Sequence, residues 1–295
     1  MIELAMRVVA VGLILALAVS AAGAAHEPWA TIHFPQDEDK WWWDADWWER
    51  GRIAAPANHV VRTRAASYRS GEVEIPVEIF SAGKFPVVVF LHGRRGLDEL
   101  TRLVPLRLAA RGFTVVAPDL FSGRFIDKMP VRHDPALEED AALAIDFALA
   151  LPEARGQAKT CVVSHTRGGY YALKALVAKG KQAKAACYVS YYPHWQHPEA
   201  PEAMQVYQYA PEVDELRVPV LVFLGEHEQY QRVRPILAGI DSLKAKKREP
   251  RVIVYPGVGR GFDFRPREVR TLADDLAAQD SLAQAARFIE RLIKH

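Results

Sequence analysis

The sequence predicts a single α/β domain in which helices cover both faces of a mostly parallel sheet. Two observations predict it. Short, continuous apolar runs recur, such as Pro-Val-Val-Val-Phe-Leu at 86–91, as strands buried on both faces require. Between them lie longer segments with apolar residues at helical spacing, as over 136–151. Repeated β-α-β units of this kind give a parallel sheet with right-handed crossovers.

The elements follow in order. Residues 59–68 and 72–80 read as an opening β-hairpin, and 86–91 as the first buried strand. A helix is predicted over 97–111, ending at Gly112, and the next buried strand over 113–117, closing at Pro118-Asp119. The spacing then predicts a helix over 136–151, a strand over 159–164 and a helix over 168–179. A strand at 185–191 leads into an irregular, aromatic-rich stretch over 193–213. A strand at 218–224, a helix over 230–245, a last strand at 251–255 and a closing helix over 281–294 complete the domain. In such sheets ligands sit at the carboxyl ends of the strands.

Half of the 295 residues are hydrophobic, enough for one sizeable core. Lys plus Arg number 38 against 36 Asp plus Glu, so nothing in the net charge calls for a nucleic-acid partner. The basic run at 244–248 follows a predicted helix and reads as a solvated face. Arg7 precedes an apolar stretch over 8–22, and Ala22-Gly23-Ala24 has the form of a cleavage site, so residues 1–24 read as a signal peptide. The stretch is barely long enough to span a membrane, which favours cleavage over a retained anchor and a periplasmic or secreted mature chain. Residues 25–58 form a separate extension holding Trp29, Trp41, Trp42, Trp43, Trp47 and Trp48. Its indoles either plug into the main domain or offer an aromatic surface to a partner, a glycan or the membrane interface. So many exposed indoles would promote aggregation, which favours the first. The main domain spans 59–295. Cys161 and Cys187 both fall in predicted core strands and are expected as two buried thiols, although export would permit a disulfide.

Four strand ends carry the chemistry. They are His92-Gly93-Arg94-Arg95-Gly96, Ser164-His165-Thr166-Arg167-Gly168-Gly169, Gly225-Glu226-His227-Glu228 and Tyr255-Pro256-Gly257-Val258-Gly259-Arg260-Gly261-Phe262. The second resembles a nucleophile elbow, with small residues where a tight strand-to-helix turn leaves no room for side chains. Gly112-Phe113-Thr114-Val115-Val116-Ala117-Pro118-Asp119-Leu120, Tyr191-Tyr192-Pro193 and the last strand end resemble segments of dienelactone hydrolases, in the same order. The resemblance runs from about residue 70 to the C-terminus and implies an α/β-hydrolase fold acting on carboxylic esters or lactones. Family members use a Cys or Ser nucleophile, an Asp and a His, in the chain order nucleophile, acid, base. By position these roles fall on Thr166, Glu228 and Arg260. The resemblance further implies an oxyanion hole from the backbone N–H groups of Arg94 and Arg167. Arg95, Arg124, Tyr191 and Arg265 are its candidate substrate contacts, with Arg265 out of step by one. It implies no metal and no organic cofactor.

The departures matter more than the matches. A base must accept a proton near neutral pH, and a guanidinium has donors but no acceptor. Thr166 is β-branched at a position of backbone strain, and its methyl crowds the place of a substrate carbonyl. Glu228 for Asp is the mild change. Glu228 and Arg260 together suit an ion pair holding the loops once held by acid and histidine. Two readings follow: an ester or lactone hydrolase with an unrecognised base, or a non-catalytic relative whose Arg94, Arg95, Arg167 and Arg260 bind an anionic ligand. His92, His165 and His227 neighbour the site but read as structural, and His194-Trp195-Gln196-His197 reads as an exposed loop.

Overall fold

The computed structural model describes residues 60–83, 86–198 and 200–293. The expected signal segment and the Trp-rich extension lie outside the described residues. Eight strands form one sheet: β1 (Arg62–Ser70), β2 (Val73–Ser81), β3 (Val87–Leu91), β4 (Thr114–Pro118), β5 (Thr160–His165), β6 (Ala185–Tyr191), β7 (Val220–His227) and β8 (Arg251–Gly259). Their order across the sheet is β1-β2-β4-β3-β5-β6-β7-β8. The β1–β2 and β2–β4 pairs are antiparallel, and the other pairs are parallel.

The predicted hairpin is present, and its outer strand carries Arg62, Arg64 and Arg69, charges that discourage edge-to-edge pairing. β3, β4 and β5 are buried along their whole length, which is why they read as continuous apolar runs. Strand order reverses between β3 and β5, and in doubly wound sheets the crevice at such a reversal is where ligands bind. The loops after β3 and β5 carry Gly93-Arg94 and Thr166-Arg167 to that point.

Among the described residues five α-helices accompany the sheet: α1 (Glu99–Ala110), α2 (Ala136–Ala150), α3 (Gly168–Leu173), α4 (Tyr230–Ala245) and α5 (Leu272–Leu292). Helix α2 packs with β3, β4, β5 and α3, while α1 and α5 contact one another. The predicted helix over 168–179 is α-helical only in its first half and passes into a π turn over Lys174–Ala178. Helix α5 begins well before residue 281, because Thr271 and Asp274 form a reciprocal capping box that starts it at Leu272.

The cysteines correct an expectation. They are not two thiols: Cys161 and Cys187 are joined as a disulfide. Both are fully buried and are register partners on adjacent strands β5 and β6, with Cα atoms 4.6 Å apart. That spacing lies within the range a disulfide bridges.

Candidate functional site

The elbow forms where the sequence places it. Thr166 follows β5 directly with φ +47°, a left-handed conformation that a β-branched residue adopts at a cost. The turn is tight because α3 starts against the end of β3. A Cβ on Gly168 would lie 2.2 Å from the Leu91 carbonyl oxygen. Gly93 is required for a related reason, since a Cβ there would overlap Oγ1 of Thr166.

The Thr166 hydroxyl makes no hydrogen bond to any described residue, although its carbonyl accepts from the backbone of Gly169 (3.0 Å) and His194 (2.8 Å). Beyond it, Arg260 Nη1 donates to Glu228 Oε2 at 3.0 Å, and Nη2 donates to the Tyr192 carbonyl at 2.6 Å. The Arg260 guanidinium also lies over the Tyr192 ring, 5.3 Å from its centroid. Glu228 is fully withdrawn from solvent, and its other oxygen accepts from the Gln229 N–H at 2.9 Å. The base and acid positions are therefore closed into an ion pair, and no proton acceptor stands at position 260.

His165 does not supply the base either. Its buried ring packs among Phe90, Tyr191, Tyr192 and Phe264, and burial pushes its pKa down. Nδ1 meets the Tyr192 hydroxyl at 3.2 Å. Nε2 lies 3.2 Å from Asp263 Oδ2, near enough for an ion pair but out of line for a hydrogen bond. The Tyr192 hydroxyl donates to Asp263 Oδ1, and Arg107 Nη1 donates to the Asp263 carbonyl at 2.7 Å. Burial pushes the Arg107 pKa down to about 9. This network fixes the residue before Thr166 to the segment just after Arg260. His92 is structural: Nδ1 donates to the Gly93 carbonyl (2.8 Å) and Nε2 accepts from the Leu120 N–H (3.0 Å). Burial lowers its pKa, in keeping with that neutral form.

Thr166 opens onto a cavity of about 300 Å³ lined by Gly93, Arg94, Arg95, His165, His194, Arg232 and Arg260 among others. Four of the sequence-predicted residues meet here: Thr166, Arg94, Arg95 and Arg260. The backbone N–H groups of Arg94 and Arg167 donate to no acceptor among the described residues, which leaves two donors beside Thr166. Arg95 is paired with Asp98.

Three candidate contacts stand elsewhere. Arg124 is not a substrate contact: it grips the buried Asp140 through two hydrogen bonds and braces the hairpin against α2. Tyr191 is enclosed by Phe223, Phe262 and His165 in the core behind the site. Arg265 pairs with Asp274 at the start of α5. In each case an internal partner has taken the side chain away from the cavity.

Two residues that matter were not singled out as ligands from the sequence. Arg232 enters from the first turn of α4 and donates to Gln196 Oε1. His194 is not in an exposed loop: it lines the cavity beside the fully buried Trp195. Its ring has no hydrogen-bond partner among the described residues. Burial pushes its pKa well down, and Arg260, Arg232, Arg167 and Arg94 push it further. The same charges, after burial, lower the pKa of Arg232. Arg94, Arg232 and Arg260 line this cavity with His194, and of these three only Arg260 has a carboxylate partner. Arg94 donates to the Met129 and Pro130 carbonyls, and Arg167 to the Pro130 carbonyl.

An elbow at the reversal of a mostly parallel sheet defines an α/β-hydrolase. The model of the dienelactone hydrolase family matches residues 75–293, and the chain belongs to that family. Ester hydrolysis is thus the chemistry the scaffold inherits. Among solved structures, it is similar to a dienelactone hydrolase-like promiscuous phosphotriesterase from metagenomic libraries, at 19% identity. That alignment covers 79% of this chain and 99% of the other, with a TM-score of 0.61. A putative dienelactone hydrolase from Klebsiella pneumoniae is 18% identical over 79% and 99% of the two chains (TM-score 0.59). A Pyrobaculum calidifontis esterase is 20% identical over 79% and 87% (TM-score 0.60). At these identities the likeness is one of fold. No curated protein matches the chain in sequence.

Proposed function

We propose that this protein binds a small ligand bearing a carboxylate or phosphate in the cavity beside Thr166, and that it does not hydrolyse esters by its family's nucleophile–base route. One observation carries the reading: Arg94 and Arg232 line this cavity without a carboxylate partner, beside Arg260, whose one carboxylate is Glu228. Unpaired, partly desolvated cations are costly unless an anion joins them. The two backbone donors beside Thr166 suit an anionic oxygen.

A second reading rests on His194 itself. Its ring is held neutral, is unpartnered and lines the same cavity as the Thr166 hydroxyl. That favours ester or lactone hydrolysis with Thr166 as nucleophile and His194 as the displaced base.

One set of measurements separates the two. Calorimetric titration with butyrate and propyl phosphate at low salt is expected to show binding that weakens in Arg260→Gln. Turnover of an aryl ester, a small lactone and an aryl phosphotriester is expected to stay at background. Turnover abolished by Thr166→Ala and by His194→Gln would overturn the first reading in favour of the second.

Export to the periplasm or beyond belongs to the proposal. The apolar segment before Ala22-Gly23-Ala24 supports it, and a buried disulfide suits an oxidising compartment. The mass of the mature chain is expected to begin at Ala25, and a retained Met1 or Met6 would contradict cleavage.

A further inference from the structure

The cavity beside Thr166 has a neighbour. A second cavity of about 580 Å³ is lined by Arg94, Arg132, Arg167, Arg232, His133 and His194, together with Tyr170, Gln196 and Gln205. Arg94, His194 and Arg232 line both cavities, which therefore adjoin. Neither lining includes an Asp or a Glu.

The placement of the cations is specific. Arg94 and Arg167 both donate to one acceptor, the Pro130 carbonyl oxygen, at 3.1 and 3.2 Å. That brings two positive groups together with only a neutral oxygen between them. Burial lowers the Arg167 pKa, and Arg94 beside it lowers it again. Arg232 is held by a neutral amide, Gln196. Arg132 is exposed at the rim. Of the carboxylates nearest in sequence, Asp134 accepts from the Ala136 N–H at 2.9 Å and Glu138 is taken by His133 at 2.8 Å. Like charges are thus held side by side where water is partly excluded, an arrangement that a second anionic group would relieve.

We infer that the two cavities form one bipartite site for an elongated dianion, with one anionic group beside Thr166 and Arg260 and the other beside Arg94, Arg167 and Arg132. The inference rests on the anion-binding reading above and deepens it to a ligand class: a short linear molecule with an acidic group at each end. Its middle passes His194 and Arg232. Two subsites linked in one ligand raise affinity only when the linker spans them, so length is the diagnostic variable.

The test uses the full mature chain at low ionic strength. Calorimetry measures two matched series of rising length: linear monocarboxylates against α,ω-dicarboxylates, and alkyl phosphonates against α,ω-bisphosphonates. The expected result is a length window in which the two-headed member binds at least about tenfold tighter than its one-headed counterpart. In Arg132→Gln and Arg167→Gln the ratio is expected to fall towards two, with the fold checked by thermal melting. Ratios of about two or less at every length, with the one-headed acids still binding, would overturn the bipartite site and leave the single anion site standing. Failure of both series to bind would overturn both.

Discussion

The Glu228–Arg260 pair can be taken apart one partner at a time, and its two halves should not be worth the same. Arg260→Gln leaves the Glu228 carboxylate, which has almost no exposure, with one backbone donor, the Gln229 N–H. Stranding a buried charge this way costs about 3–5 kcal/mol. Glu228→Gln strands the guanidinium instead. That group still donates to the Tyr192 carbonyl, rests on the Tyr192 ring and keeps 17% exposure. Its loss should be smaller, about 1–3 kcal/mol. The double variant with Gln at both positions buries no charge and should recover much of the sum, giving a coupling energy of about 2–4 kcal/mol. Urea denaturation at pH 7.5 of the four proteins, with m-values compared, reads all three quantities. Strictly additive losses, or a costlier Glu228→Gln than Arg260→Gln, would refute the view that this pair holds the two loops as a buried ion pair.

Acid should destabilise the protein well above the carboxylate range. His92, His165 and His194 all have folded pKa values below the unfolded value near 6.5. Their stabilisation is complete above that value and is lost as pH falls below it, because the unfolded chain takes up protons the folded one refuses. Each histidine contributes a slope of up to about 1.4 kcal/mol per pH unit, so the urea midpoint should drop steeply from pH 7 to 5.5; a flat profile there would be decisive against it. Gly168→Ala should cost about 2–4 kcal/mol because the new Cβ meets the Leu91 carbonyl, whereas Gly180→Ala, with open space around it but φ +70°, should cost about 1 kcal/mol; equal melting shifts would contradict the packing argument. Thr166→Gly should stabilise by about 0.5–1 kcal/mol, by relieving β-branched strain at φ +47°, and a lowered melting temperature would count against that strain. Reduction of Cys161–Cys187, which are 26 residues apart, should remove about 3.5 kcal/mol on the chain-entropy account, measured as the denaturation midpoint with and without reductant.

Much of this molecule is legible in its sequence, for identifiable reasons. The strands β3 to β5 are buried on both faces, so composition alone marks them. The elbow is legible because steric demand writes itself as Gly168-Gly169 after Thr166. The Thr271–Asp274 capping box was also readable, and would have placed the start of α5 correctly. Other features depend on register or on distant partners. The disulfide follows from Cys161 facing Cys187 across two strands, which no spacing rule states. Arg124 leaves the site for an aspartate in α2, and a chain position near a family contact says nothing of that choice. His194 and Arg232 reach the cavity from an irregular stretch and a helix start, which have no common period.

The physical logic of the site lies in how its charges are paired. Had the catalytic groups merely decayed, the cations around them would be free to acquire carboxylate partners, as Arg95 has done at the cavity and Arg124 and Arg265 have done elsewhere in this chain. For three other cations of the cavities the opposite holds. Arg94, Arg167 and Arg232 are each tethered by neutral oxygens, which fix a guanidinium in place without cancelling its charge. Such tethering suits a site kept vacant for an outside anion. Glu228 is paired with Arg260 and lies at the fully buried end of that pair. It anchors the β7 and β8 loops while leaving the positive field of the other three directed at the cavity. A buried ion pair at Glu228 and Arg260, beside cations held by neutral oxygens, is the arrangement that the proposed anion-binding role requires.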